Sequence, residues 1–74
     1  MDIRRRVGRN IKAVREEKGW SQERLALECG LDRSYVSAVE RSRWNVSLSN
    51  IDAIAKALEV KPWLLLKPPI EKDH

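Results

Sequence analysis

Apolar side chains recur along this 74-residue chain at helical intervals. Ile3, Val7, Ile11 and Val14 form one stripe, which predicts a first helix from about Ile3 to Lys18. Gly8 interrupts it at a cost of roughly 1 kcal/mol relative to Ala, so another helix should approach closely there. Gly19 ends this helix, and Ser21 offers an N-cap to a second one over 22–29. Trp20 and Leu25 hold the two places of a hydrophobic staple, while Arg24 stands where a capping box calls for Glu or Gln. Ala26 leaves room for a crossing helix, and Gly30 can take the positive φ that ends the second helix. Leu31 then turns inward, and Asp32 caps a third helix over 33–40 that buries Val36 and Val39. A loop spans Arg41 to Val46. Ser47 caps a fourth helix with Leu48, Ile51, Ile54, Ala55 and Leu58 on one face, closed by Val60-Lys61-Pro62. Pro62 suits the first position of a short fifth helix holding Trp63 to Leu66. Lys67-Pro68-Pro69 stops that helix, and the polar tail over 68–74 should be mobile. The pattern describes an all-α, compact five-helix bundle, one domain over 1–74.

A domain this small buries only about 60% of its unfolded surface, so a lone core is marginal. Trp63 to Leu66 is the longest apolar run, far too short to span a bilayer, and no signal peptide is visible. Cys29 is the only cysteine, which leaves no intrachain disulfide or cysteine-based zinc site and suits a reducing cytoplasm. The formal charge of +4 is uneven: residues 1–18 carry seven basic and three acidic side chains, and the remainder eight of each. A basic balance favours a polyanionic partner, although a solvated helix face explains Arg4, Arg5 and Arg6 equally well. The sole histidine is His74, and Glu16-Glu17 are mere sequence neighbours, so no catalytic constellation can be assembled. No enzymatic activity, cofactor or metal is expected.

The segment from Ser21 to Arg41 carries most of the functional information. A short helix, a glycine turn and a second short helix with Arg33, Ser34, Ser37 and Ala38 facing outward form the pattern of a DNA-binding helix-turn-helix. Arg33 can reach guanine O6 and N7 with its guanidinium fork. Ser34 and Ser37 can each contact a base edge or a phosphate, and Ala38 can touch a thymine methyl. Gln22 opens the second helix, where free backbone N–H groups and the positive helix end favour a phosphate. Tyr35 points sideways, to bond a phosphate or to pack on the domain.

Residues 8–60 resemble the Cro/phage-repressor class of helix-turn-helix regulators, with a lambda-repressor-like fold. The shared pattern runs Gly8, Ile11, Arg15, Gly19, Ser21-Gln22, Leu25-Ala26, Gly30, Ser37, Glu40-Arg41, Asn45, Ser47-Leu48, Ala55, Ala57-Leu58 and Val60. Within it, Leu31 to Ser37, Glu40-Arg41 and Asn45 to Leu48 look most like the small controller proteins of restriction–modification systems. The resemblance implies that the loop after the third helix runs beside the DNA backbone, with Arg43 and Asn45 on phosphates, and it supports Gln22 in the same role. It also implies an inward ion pair between Glu40 and Arg15, with Arg41 either pairing with Glu40 or holding the domain together. Two departures stand out. Ser42 stands where the family usually has Gly or Asn, a position suited to a left-handed cap, so the turn is either strained or of another type. Trp44 replaces a common basic residue, and its indole can stack on a sugar, wedge against the groove or pack on the fourth helix.

Together these features imply a transcription regulator that binds double-stranded DNA as a homodimer on a pseudo-palindromic operator. Trp63, Leu64, Leu65 and Leu66 are the expected dimer interface, within a segment of about 58–67 and with Trp63 or Leu65 near its centre. With no separate effector domain in view, regulation would follow the protein's own concentration. A restriction–modification controller is the leading role, beside an antitoxin or phage-type repressor. A protein–protein interaction module on the same scaffold is the alternative of another class, and it would not need Arg33, Ser34, Ser37 and Arg43. No membrane or small-molecule ligand is expected.

Overall fold

The computed structural model describes residues 2–68 and holds α1 (Ile3–Glu17), α2 (Gln22–Cys29), α3 (Arg33–Glu40), α4 (Leu48–Leu58) and α5 (Pro62–Leu66). The tail from Pro69 on, expected to be mobile, lies outside the described residues. The architecture is all-helical, and the five elements lie where the apolar spacing predicts them. Ser21 caps α2 by accepting from the Arg24 N–H at 3.0 Å, and Ser47 caps α4 by accepting from the Asn50 N–H at 3.1 Å. Asp2 does the same for α1 at 2.8 Å. The Arg4 guanidinium and then that N–H hold the Asp2 carboxyl below its usual range.

Asp32 departs from its expected role. It occupies the N-cap position of α3 with extended backbone, yet its carboxylate makes no capping bond and instead accepts the Ser34 hydroxyl proton. A side-chain donor two residues on outcompetes the backbone for a short carboxylate.

Val7, Ile11, Leu25, Val36, Val39, Ile54, Leu58 and Leu65 form the centre of the core, each at most 2% exposed. Burying one such side chain stabilises the fold by about 1.5–3 kcal/mol. Around them α1 packs on α3 and α5, α2 on α3 and α4, and α4 on α5. Two residues of the predicted apolar faces stay outside. Ile3 is 52% exposed and Leu48 79%, because each opens its helix beyond the edge of the core. With Val46 and Leu66 they line a shallow groove of about 170 Å³. Ala38 goes the other way: expected to face outward, it is buried. The last turn of α3 is enclosed by α1 and by the returning loop, whose Arg43 N–H donates to the Ala38 carbonyl at 2.9 Å.

The close approach expected at Gly8 is real, and α3 makes it. A Cβ built on Gly8 would stand 2.5 Å from the Val39 carbonyl oxygen and 3.0 Å from that of Glu40. Both obstacles are backbone, which cannot swing aside. Gly8→Ala should therefore destabilise the fold by about 3 kcal/mol, read as a lowered urea midpoint with an unchanged slope. An alanine variant as stable as wild type would show that α1 and α3 can separate at no cost.

Candidate nucleic-acid interface

A buried ion pair sets the geometry of the helix-turn-helix. Arg15 on α1 donates Nε to Glu40 Oε2 at 2.7 Å and Nη2 to Oε1 at 3.0 Å, with side chains 10% and 3% exposed. Its remaining nitrogen, Nη1, donates to the Trp20 carbonyl at 2.7 Å. Glu40 keeps the guanidinium firmly charged, raising its pKa further. Gln22, first residue of α2, donates Nε2 to the same Glu40 Oε1 at 3.0 Å. One carboxylate at the end of α3 thus anchors α1 and the start of α2. Arg41 takes no part; it is exposed and forms no ion pair among the described residues.

The structure brings the other site residues to α3 and the loop behind it. Arg33 opens α3, exposed and without an ion-pair partner among the described residues. Ser34 is exposed with its proton given to Asp32, and Ser37 is half-buried one turn further on. Tyr35 is half-buried, its hydroxyl accepting from Asn50 Nδ2 on α4 at 3.0 Å. The exposed Trp44 ring lies 5.8 Å from the Tyr35 ring at 47°, so the indole packs on the third helix's tyrosine. Arg43 and Asn45 flank it, both exposed. Ser42 keeps the left-handed geometry, at φ 64°, that the glycine or asparagine of the family pattern would occupy. For a residue with a Cβ this costs roughly 1–2 kcal/mol.

The expected dimer segment divides. Leu65 is 0% exposed and belongs to the chain's own core, whereas Trp63 is 60% exposed. Leu64 and Leu66 are half-buried on either side. Leu65 is therefore taken up inside one protomer, because a five-residue helix has only one side to turn inward. Two side chains escaped the sequence reading. Asn10 is buried and donates Nδ2 to the Leu65 and Lys67 carbonyls at 2.9 and 2.6 Å. Its signal was its place among Val7, Ile11 and Val14, on the inward face of α1. Asn50 offered no signal beyond lying in the first turn of α4.

Comparison with known proteins places this arrangement in a class. A family model described as helix-turn-helix matches residues 11–62. The crystal structure of the hypothetical transcription factor NHTF from Neisseria superposes with a TM-score of 0.89 at 57% identity, covering 92% of this chain and 78% of that one. The control protein C.BamHI of Bacillus amyloliquefaciens is 48% identical over 66 residues, 88% of this chain and 82% of that protein. The restriction–modification controller protein C.Esp1396I, crystallised as a tetramer with its natural 35-base-pair operator, gives a TM-score of 0.81 at 37% identity, over 88% of this chain and 86% of that one. The chain belongs to the helix-turn-helix family of DNA-binding transcription regulators, a non-enzymatic family, and is related to restriction–modification controllers and repressors. None of its described helices is long and apolar enough to cross a membrane.

Removing the Glu40 carboxylate would leave the buried Arg15 with only the exposed Glu16 carboxylate, 4.0 Å away, and release Gln22. Glu40→Ala should cost about 3–5 kcal/mol, enough to unfold much of the protein at 37 °C, as followed by circular dichroism on heating. A melting temperature within a degree or two of wild type would mean that the pair does not hold the helices.

Proposed function

We propose that this chain is a cytoplasmic, sequence-specific transcription regulator that binds a pseudo-palindromic operator as a homodimer, in the manner of a restriction–modification controller. The observation that carries this reading is Arg33. It lies exposed, without an ion-pair partner among the described residues, in the first turn of a helix whose far end is locked by the Arg15–Glu40 pair. In the major groove its fork matches guanine O6 and N7. Ser34, having donated to Asp32, is left as an acceptor, which suits a cytosine or adenine amino group rather than a phosphate. Ser37 reads from the next turn. Gln22, Tyr35, Arg43 and Asn45 contact phosphates and set the register; Gln22 retains one amide N–H beside the open backbone N–H groups of α2. The operator complex of C.Esp1396I supports DNA as the partner, and the likeness to C.BamHI supports the controller role.

Selection of bound duplexes from a random pool, followed by titration, tests the reading. Arg33→Ala should cost about 1–3 kcal/mol on the selected site and relax preference at one base pair. Arg43→Ala should weaken selected and random duplexes alike and lower the salt slope by about one. Undiminished base preference in Arg33→Ala would remove that residue from the reading face.

The dimer rests on Trp63, Leu64 and Leu66, with Leu65 supporting them from behind. The interface is isologous, and two reading helices would stand about 34 Å apart, one turn of DNA. Sedimentation checks this: wild type should be dimeric at tens of micromolar, and Trp63→Glu monomeric with its helical spectrum intact. Because Leu65 is core, Leu65→Glu would unfold the chain and cannot serve as the probe. A Trp63→Glu variant that remains dimeric puts the interface elsewhere.

A further inference from the structure

We propose that Asn50 is a positioning residue for DNA binding, whose amide turns the Tyr35 hydroxyl into a dedicated hydrogen-bond donor for a phosphate. This rests on the placement of Tyr35 at the DNA backbone and deepens it. A phenol carries one O–H and acceptor lone pairs, so alone it can either give or take a hydrogen bond. Asn50 Nδ2 reaches the Tyr35 oxygen at 3.0 Å and donates to it. That occupies the inward side of the hydroxyl and leaves its proton to point away. Phosphate oxygens only accept, whereas base edges present donors and acceptors both, so a hydroxyl fixed as donor matches the backbone.

The parts that fix the polarity are themselves held. The Asn50 backbone N–H is tied to Ser47 Oγ at 3.1 Å, which pins the residue in the first turn of α4. The Trp44 ring, 5.8 Å from that of Tyr35, limits the swing of the phenol. Three segments thus meet at this side chain: α3 supplies it, α4 orients its oxygen and the loop flanks its ring. Donation from the amide also polarises the O–H and strengthens what it gives. Ser34 on the same helix is set the opposite way, its proton consumed by Asp32.

Asn50→Asp reverses the polarity at nearly constant shape, since a carboxylate accepts the phenol proton and turns it inward. The experiment is a double-variant cycle on the full chain, using a duplex selected from the random pool and one random duplex of equal length. Tyr35→Phe should weaken both duplexes about tenfold in the wild-type background. With Asp at position 50 it should change affinity by less than about twofold, because the donor is already lost. The extra negative charge of the aspartate acts equally whether position 35 carries tyrosine or phenylalanine, so it cancels from the cycle. A Tyr35→Phe penalty of the same size in both backgrounds overturns the proposal, leaving Asn50 as a tie between α3 and α4.

A second measurement needs no Asn50 variant. Replacing single phosphates of the selected duplex with neutral methylphosphonates should reveal one position per half-site where wild type loses affinity and Tyr35→Phe does not. If no position separates the two proteins, the hydroxyl does not donate to a phosphate and the proposal falls. A wild-type chain that binds neither duplex overturns the regulatory reading itself, an outcome distinct from binding without coupling.

Discussion

The orientation of α3 depends on one carboxylate. Apolar packing is non-directional and leaves two short helices free to rotate against each other within a few kcal/mol. The Arg15–Glu40 pair is directional: two parallel hydrogen bonds at 2.7 and 3.0 Å fix the end of α3 against α1. Taking both charges out of water costs several kcal/mol per ion. The cost is offset because both groups make further bonds. Arg15 also satisfies the Trp20 carbonyl just before α2, and Glu40 also accepts from Gln22 just inside it. The chain on either side of Ser21 is therefore referenced to the same ion pair.

Similar bracing explains how so small a chain holds a five-residue fifth helix, which has no stability of its own. Gly8 lets α1 sit against the last carbonyls of α3, and two residues later Asn10 gathers the Leu65 and Lys67 carbonyls at the end of α5. Those carbonyls have no partner within so short a helix, and an unmet buried carbonyl would cost about 1–3 kcal/mol. With Leu65 sunk in the core, α5 becomes a fixed mount for Trp63. α1 thus serves both α3 and α5, bracing the first with Arg15 and the second with Asn10.

What could be read from residues alone follows from the range of each interaction. Apolar spacing and local caps act within a few residues, so all five helices and the bonds from Ser21 and Ser47 were legible. Periodicity shows which face turns inward but not how far the core extends, hence the exposed Ile3 and Leu48 and the buried Ala38. Asp32 was misread because a nearer donor, Ser34, competes with the backbone for it. The inward turn of Glu40 was legible from the repulsion an acid would meet at a DNA surface, but its partner Arg15, 25 residues away, only through the resemblance. Asn50 meets Tyr35 through tertiary packing, 15 residues apart, and no local rule announces it. Arg33, Arg43 and Asn45 lie exposed on the surface, as expected of side chains whose proposed partners lie outside the chain.

A protein that docks on a polyanion while carrying acids in its reading motif must keep those acids from repelling phosphate. Each is dealt with locally. Glu40 is buried against Arg15, Asp32 is engaged by Ser34, and Glu28 pairs with Arg24 at 2.9 Å. Glu23 lies in the first turn of α2, where the helix N-terminus offsets its charge. Arg33, Arg41 and Arg43 have no such partners among the described residues and are left facing outward. The net excess of charge meanwhile sits in residues 1–18. On the proposed reading, long-range attraction and base discrimination are divided between elements: the first helix would supply field, and the third a few donors and acceptors whose direction is set from behind. Nearly balanced in its own charge, such a motif would have to draw base selectivity from fixed geometry rather than from attraction.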